Sequence, residues 1–206
     1  MWKKTKKGDS IVMNNLNDYI FCIVGKSGCG KTTIANKLFE QYGYTQIASY
    51  TTRPPRTEHD TDHVFVSQAE YDALENKVAF THFGNYDYCA TKEQVDNANL
   101  YVIDPFGLKQ LKQLYDGHKQ IVSIYVYTPM ETCLDRMRRR GDDEDKVWGR
   151  LRHDDEAFKG VRSQCEFVIN GIPESAWFDV ASIIERVVKH GILLRPSKKG
   201  TENEKA

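Results

Sequence analysis

The chain has 206 residues, 40% of them apolar and 28% charged, and a formal net charge of zero; these values are typical of one well-packed globular domain. A neutral chain has no overall field that attracts nucleic acid or an anionic membrane, so neither is expected as a partner. No apolar run is long enough to span a bilayer, and the basic start, MWKKTKKG, lacks the apolar stretch of a secretory signal.

Apolar, β-rich runs alternate with helical patterns along the chain. Residues 19–24 (YIFCIV) form a short continuous apolar run before a glycine, which is typical of a buried parallel strand. A helix is predicted over residues 31–42, with Ile34, Leu38 and Phe39 facing the core. Further strands are predicted in LYVID (100–104), IVSIYVY (121–127) and EFVIN (166–170).

This alternation predicts an α/β domain with a mainly parallel sheet flanked by helices. The exception is the stretch from about 49 to 92, where strand-like pieces (HVFV and KVAFTHF) surround one helix, so an inserted subdomain is predicted there. Polar composition predicts a flexible segment at 1–18 and a flexible tail at 196–206, which leaves 19–195 as the folded domain.

Local chemistry predicts where three helices begin. Ser67 and Glu70, like Thr91 and Gln94, have the spacing of a capping box, in which each side chain bonds the other residue's backbone N–H. In Thr128-Pro129-Met130-Glu131, the threonine is predicted to cap a helix whose first residue is the proline.

The segment GKSGCGKT, between the first strand and the first helix, matches G-x-x-x-x-G-K-[ST] in full. Its glycines let backbone N–H groups turn toward phosphate oxygens, and the helix N-terminus adds positive potential. Lys31 is expected to bridge the β- and γ-phosphates of a nucleoside triphosphate, and the Thr32 hydroxyl to ligate Mg²⁺. The predicted ATP-binding residues are Gly25, Lys26, Ser27, Gly28, Cys29, Gly30, Lys31, Thr32 and Thr33.

This type of loop serves several chemistries. Residues 104–107 (DPFG) fit the D-x-x-G of a GTPase switch, but the sequence has no N-K-x-D motif for reading guanine. Sulfotransferases and small-molecule kinases are further alternatives, so the P-loop alone leaves the reaction open.

The stretch SYTTRPPR (49–56) places two arginines on either side of a proline pair. Consecutive prolines favour polyproline II, which has three residues per turn, so Arg53 and Arg56 are expected to project in the same direction. A pair of guanidinium groups suits a phosphate, and a second phosphate site in a P-loop protein implies two phosphorylated ligands. A solvated loop is the alternative interpretation.

Together these motifs resemble the guanylate kinase family of nucleoside monophosphate kinases, over residues 19 to 188. The resemblance is carried by GKSGCGKTT, SYTTRPPR, FGNYDY, RMRRRGDDED and FVIN, in that order. It implies the P-loop NTPase fold, with an acceptor-binding insert at about 49–92 and a short lid at about 138–149. It further implies an acceptor site with two arginines on the phosphate and a serine near the base, formed by Ser49, Arg53, Arg56, Glu58 and Tyr88.

Arginines near the lid are expected to surround the transferred phosphoryl group. Arg136 and Arg140 are four residues apart at a predicted helix end and share one face, and Arg150 follows across the loop GDDED. A closing segment of this kind supplies positive charge and excludes water. Arg138 and Arg139 are interpreted as part of a solvated face.

Asp104 follows a predicted strand at the sheet edge where α/β sites form. It is expected to bind the acceptor or to organise Mg²⁺ through water; capping the turn before Pro105 is the alternative. Val102 stands where the family has the first aspartate of a D-x-D strand end, so Asp104 is the remaining carboxylate of that pair.

Other base-side positions also depart from the family pattern. Val78 or Ala79 occupies the place of a glutamate that would face the N1–H and N2–H of guanine, and Ala90 stands where Ser or Thr is usual. His63 occupies the place of a phosphate-binding tyrosine. An extra residue in NYDYCAT predicts that Asp87 reaches the base and restores the missing carboxylate.

The sequence therefore predicts a kinase that transfers the γ-phosphoryl group of Mg·ATP to a nucleoside monophosphate, with GMP or dGMP as the favoured acceptor. Two alternatives stay open: the same reaction on another base, and a guanylate-kinase-like interaction module without turnover. Five dispersed cysteines without a CxxC pair indicate a reduced, cytoplasmic protein. The predicted catalytic residues are Lys31, Arg53, Arg136, Arg140 and Arg150.

Overall fold

The computed structural model describes residues 15–55, 58, 60 and 63–191. Within this part of the chain, no helix is both long enough and apolar enough to cross a bilayer. Leu16–Asp18 forms a short 3₁₀ helix, so the last part of the segment predicted to be flexible has regular structure. Residues 1–14 and the predicted tail at 196–206 lie outside the described residues.

Strands and helices alternate along most of the chain. The strands are β1 (Tyr19–Val24), β2 (Ser49–Thr51), β3 (His63–Phe65), β4 (Lys77–Phe83), β5 (Tyr86–Thr91), β6 (Leu100–Val102), β7 (Gln120–Tyr127) and β8 (Phe167–Asn170). The helices are α1 (Lys31–Tyr42), α2 (Gln68–Ala73), α3 (Lys92–Asn97), α4 (Pro105–Leu114), α5 (Met130–Arg139), α6 (Glu144–Ala157), α7 (Val161–Gln164) and α8 (Ala176–His190).

A four-stranded parallel sheet in the order β6-β1-β7-β8 forms the centre of the domain. Every residue of β1 is buried, because the strand lies between two others and both faces of the sheet are covered. The predicted parallel α/β core is thus confirmed. The strand predicted over 100–104 ends earlier, at Val102, because Asp104 caps the next helix.

Successive side chains of β1 point to opposite faces of the sheet, and each face has its own hydrophobic core. Phe21 and Ile23 face a core that also contains residues of α1 and α8. Cys22 and Val24 face the opposite core, which also contains residues of α4 and of the β4–β5 hairpin. The helix that follows the P-loop and the inserted subdomain therefore pack on opposite faces of the sheet.

The insert has a sheet of its own, in the order β3-β2-β5-β4. β2 and β3 are parallel, whereas β5 is antiparallel to both β2 and β4. The β4–β5 hairpin turns at Gly84, whose φ of 64° lies in the left-handed region that glycine adopts without strain. This separate small sheet agrees with the insert predicted for 49–92.

Two of the three predicted helix starts are confirmed. Ser67 with Glu70 and Thr91 with Gln94 form complete capping boxes at the starts of α2 and α3. The prediction for Thr128 was wrong: α5 begins at Met130 with Pro129 as its N-cap and no side-chain cap. The Thr128 hydroxyl instead donates to the Cys29 carbonyl oxygen, so a tertiary hydrogen bond has taken the place of the local one.

The predicted inner face of α1 is correct for Ile34 and Leu38, which are buried. It was wrong for Phe39, which is 60% exposed. The ring lies one position around the helix from Leu38, and no element described in the structure covers that side.

Candidate active site

A cleft of about 1540 Å³ brings most of the predicted site residues together. One part is lined by the loop between β1 and α1, another by the insert, and a third by arginines of α5 and α6. The predicted residues that line it are Gly25, Ser27, Gly28, Gly30, Lys31, Thr32, Thr33, Ser49, Tyr88, Asp104, Arg136, Arg140 and Arg150.

The loop geometry depends on two glycines with positive φ. Gly28 has φ of 75° and Gly30, the N-cap of α1, has φ of 103°. A Cβ on Gly28 would lie 2.6 Å from the Cys133 carbonyl oxygen, so a larger residue would push the loop away from α5. The loop is therefore held against the protein in the conformation that turns its backbone toward the cleft.

Lys31 lies across the inside of this loop. Its Nζ donates to the carbonyl oxygens of Gly25 (2.6 Å) and Lys26 (3.0 Å). Thr32 and Thr33 follow on the first turn of α1 and are exposed to the cleft. Two predicted ATP-binding side chains do not line the cleft: Lys26 turns outward to Asp155, at 2.5 Å, and Cys29 is buried.

One contact to the loop was not predicted from the sequence. Asp154 of α6 is buried and lines the cleft, and its Oδ2 accepts a hydrogen bond of 2.6 Å from the Ser27 backbone N–H. The local sequence HDDE gave no signal for this role, because an acidic run on a helix usually indicates a solvated face.

Arg136 joins two loops through one guanidinium group. Nη1 donates to the Cys29 carbonyl oxygen at 3.2 Å, and Nη2 donates to the carbonyl oxygens of Gly171 (2.9 Å) and Ile172 (3.0 Å). The planar fork of an arginine is needed for this arrangement, because a lysine presents a single nitrogen. Arg136 therefore fixes the P-loop against the segment after β8.

The other two predicted lid arginines share a carboxylate. Asp142 accepts from Arg140 Nε at 2.8 Å and from Arg150 Nη1 at 2.9 Å, which holds α5 and α6 together at the cleft. Arg138 pairs with Glu144 and is exposed, as is Arg139, and neither lines the cleft. The interpretation of these two as a solvated face agrees with the structure.

On the insert side, Ser49 and Tyr88 lie beside His63. Ser49 Oγ is 2.9 Å from His63 Nδ1, and the rings of His63 and Tyr88 meet edge to face with centroids 5.5 Å apart. All three residues line the cleft. The register Thr51↔Tyr88 of β2 and β5 brings these side chains to one wall.

Two further predicted acceptor residues that the structure describes, Arg53 and Glu58, do not line the cleft. Arg53 is buried, with Nη2 3.0 Å from Asp60 Oδ2 and the guanidinium carbon 5.3 Å from the Phe65 ring centroid. Glu58 is exposed and is not part of the lining. Arg56, and with it the predicted pairing of the two guanidinium groups, lies outside the described residues.

Asp104 takes the capping role that was the alternative, and its predicted contact with the acceptor or Mg²⁺ stays a prediction. Its Oδ1 accepts from the backbone N–H groups of Phe106 (2.8 Å) and Gly107 (2.9 Å), so it caps α4. The residue also lines the cleft, where its second oxygen, Oδ2, accepts none of the hydrogen bonds found among the described residues.

Asp87 is not where the sequence analysis placed it. Its side chain binds His82 Nδ1 at 2.7 Å and Gln68 Nε2 at 3.2 Å, and it does not line the cleft. The hydrogen bond from His82 lowers the pKa of Asp87 and outweighs the opposing effect of burial. The prediction that this carboxylate faces the base was therefore wrong. Alternation along β5 turns Asp87 away from the side on which Tyr88 meets the cleft.

Comparisons with known proteins match the chain to one family model and to several guanylate kinases. Residues 21–159 match the model of a family described as an AAA domain. The guanylate kinase of Nitrosomonas europaea is 31% identical over 181 residues, which cover 81% of this chain and 88% of the relative. That of Anaplasma phagocytophilum is 34% identical over 148 residues, which cover 65% and 70%. The crystal structure of guanylate kinase from Anaplasma phagocytophilum superposes with a TM-score of 0.59 at 21% identity, covering 86% of this chain and 89% of that one.

Proposed function

Because the chain belongs to the guanylate kinase family, we propose that it transfers the γ-phosphoryl group of ATP to GMP or dGMP, giving ADP and GDP or dGDP. It is an ATP-dependent nucleoside monophosphate kinase. The observation that carries this proposal is that one cleft is lined by a P-loop, by residues of the insert, and by three arginines. The comparisons favour neither of the alternatives, a different acceptor base or an interaction module.

In the reaction, an oxygen of the acceptor phosphate forms a bond to the γ-phosphorus, and the bond from the γ-phosphorus to the β,γ-bridging oxygen breaks. The protein supplies little covalent chemistry, so its contribution is position and charge. Lys31 lies inside the loop, where its ammonium group neutralises phosphate oxygens. Arg136, Arg140 and Arg150 line the same cleft and stabilise the charge that spreads over the transferred group.

The donor groups present fit a magnesium ion. Mg²⁺ prefers oxygen ligands and is usually held by one or two protein oxygens together with water and substrate phosphates. The Thr32 hydroxyl and the Asp104 carboxylate both line the cleft, and they would hold the ion directly or through water. When bound, the ion neutralises the phosphates and stabilises the charge that develops during transfer.

The acceptor is assigned to the insert. Ser49 and Tyr88 lie at the cleft wall and are proposed to bind the base and the phosphate side of the nucleotide. Arg53, Arg56 and Glu58 are proposed as further acceptor ligands from the family resemblance. An observation supports this for Arg53: its Nε is the one enclosed side-chain atom without a partner among the described residues, and such a donor usually finds an acceptor in the functional state.

The predicted cytoplasmic location is part of this proposal. Four of the five cysteines are buried and the fifth is half-buried, and all are free thiols. Free thiols persist in a reducing compartment, whereas an oxidising one favours disulfides.

The test is ADP production from Mg·ATP with GMP, dGMP, AMP, CMP, UMP and dTMP as acceptors. Selective turnover of GMP or dGMP is expected, and Lys31→Ala is expected to lower the rate by about 10²-fold or more. Lys189→Ala, an exposed lysine near the end of α8, is the matched control and should keep the wild-type rate. Absence of turnover with GMP and dGMP would contradict the proposal.

A further inference from the structure

Tyr101 of β6 is a buried tyrosine whose hydroxyl has no hydrogen-bond partner among the residues that the structure describes. The side chain is 5% exposed and lines the cleft. Among the described residues, Arg53 Nε is the one fully buried side-chain nitrogen or oxygen without a hydrogen-bond partner. The Tyr101 oxygen also lacks a partner but is not in that class, so it is not fully buried. The small exposed part of Tyr101 therefore includes its hydroxyl, which opens into the cleft.

The position of Tyr101 in the sheet indicates which part of the cleft its hydroxyl faces. Tyr101 lies opposite Cys22 in the β1–β6 register, and both belong to the core that packs against the insert. Lys31 and α1 follow β1 on the opposite face of the sheet. The hydroxyl therefore faces the half of the cleft that belongs to the acceptor nucleotide.

The cluster neighbours of Tyr101 are apolar, whereas Ser49, His63, Tyr88 and Asp104 bring polar groups to the cleft lining. Ala79 and Ala90 are buried in the same cluster, and Ala79 lines the cleft beside it. Ser49, across the wall, already has its hydroxyl bound to His63. A hydroxyl without a protein partner in a cleft of this kind is one of the polar groups that can fix the orientation of a planar ligand.

We propose that the Tyr101 hydroxyl hydrogen-bonds the edge of the acceptor base and so acts as a specificity-determining residue. This inference rests on the proposed kinase function, and it names the group that reads the base. A neutral hydroxyl both donates and accepts, so it recognises the edge of a purine without imposing the full charge of a carboxylate.

Burial keeps the hydroxyl in this neutral form. Desolvation raises the pKa of Tyr101 well above its ordinary value, and the negative charge of Asp104 adds to the effect. The side chain therefore carries its proton throughout the physiological pH range.

The test compares the wild type with Tyr101→Phe and with Tyr125→Phe as the matched control. Tyr125 lies on β7 in the same core cluster, is 6% exposed and does not line the cleft. For Tyr101→Phe we expect kcat/KM for GMP to fall about 3- to 10-fold, mainly through the KM of GMP. The KM of ATP and the melting temperature should stay unchanged, because the lost hydroxyl has no protein partner.

Ribose 5-phosphate separates contact with the base from a general effect on the site. It has the sugar and phosphate of the acceptor but no base, so its inhibition constant against GMP should be the same in the wild type and in Tyr101→Phe. An equal loss of ribose 5-phosphate binding, an effect of Tyr125→Phe as large as that of Tyr101→Phe, or unchanged kinetics of Tyr101→Phe would each overturn the proposal.

Calorimetric titration of GMP distinguishes this proposal from that of the kinase. If the wild type binds GMP without turning it over, and Tyr101→Phe binds it more weakly, the kinase proposal fails and the role of Tyr101 stands. If turnover is present but both proteins bind and react alike, only the role of Tyr101 fails. If the wild type neither binds GMP nor turns it over, both fail.

Discussion

The Asp154 carboxylate accepts a hydrogen bond of 2.6 Å from the backbone N–H of Ser27, which ties α6 directly to the phosphate-binding loop. The two residues are 127 positions apart in the chain. Helix α6 also carries Arg150. The same helix therefore brings the positive charge of Arg150 to the cleft and the negative charge of Asp154 to the phosphate-binding loop.

This carboxylate should weaken ATP binding. A negative charge near bound phosphates repels them, and the N–H group of Ser27 is occupied until Asp154 releases it. We expect Asp154→Asn, which keeps a carbonyl oxygen as acceptor but removes the charge, to lower the KM of ATP about 3- to 10-fold, which corresponds to about 0.7–1.4 kcal/mol.

The control for this prediction is Asp155→Asn. Asp155 is next on the same helix and binds Lys26 at the surface, where an ion pair contributes little. Its replacement should change the KM of ATP less than twofold. A higher KM of ATP in Asp154→Asn would show that the carboxylate supports the loop rather than opposing the nucleotide.

Arg136→Lys should impair both stability and catalysis. The guanidinium group bonds three carbonyl oxygens on two loops, and a lysine can keep the charge but not all three bonds. We expect a loss of about 1–2 kcal/mol in the free energy of unfolding, measured by urea denaturation, and a fall in kcat. Arg139→Lys, on the exposed side of the same helix, should match the wild type in both measurements.

Glu166 should make stability depend on pH. Burial alone would raise the pKa of Glu166, but the hydrogen bonds from Ser123 and Lys112 favour the charged form and bring the pKa below its ordinary value of 4.5. A lowered pKa in the folded state stabilises the protein above the ordinary pKa, and this contribution is lost as the pH falls through the folded value. We expect Glu166→Gln to be less stable than the wild type by about 1–2 kcal/mol at neutral pH.

The difference between Glu166→Gln and the wild type should begin to shrink below pH 4.5, where Glu166 in the unfolded chain takes up a proton, and should disappear as the pH falls through the lower pKa of the folded state. Thermal unfolding at a series of pH values measures it. Glu131→Gln, an exposed glutamate in the first turn of α5, serves as the control. A difference that is constant across the pH range would contradict the assignment of this charge.

The sequence by itself determined the features that depend on neighbouring residues. β1, α1 and β4 have the predicted bounds or lie within one residue of them, because apolar runs and periodicity report burial directly. The capping boxes of α2 and α3 were also predicted correctly, because each joins residues only three positions apart in the chain. The P-loop motif and the arrangement of the motifs along the chain were enough to identify the guanylate kinase family.

Tertiary structure decided where the side chains of the site point. Thr128 was predicted as a cap but bonds Cys29, and Asp87 was predicted at the base but binds His82 and does not line the cleft. Neither outcome can be read from local spacing, since each depends on which face of an element meets the rest of the protein. Asp154 and Tyr101 gave no signal in the sequence, because an acidic helix face and an apolar strand are ordinary features. Packing of α6 against the loop, and of the insert against the sheet, placed their polar atoms in the cleft.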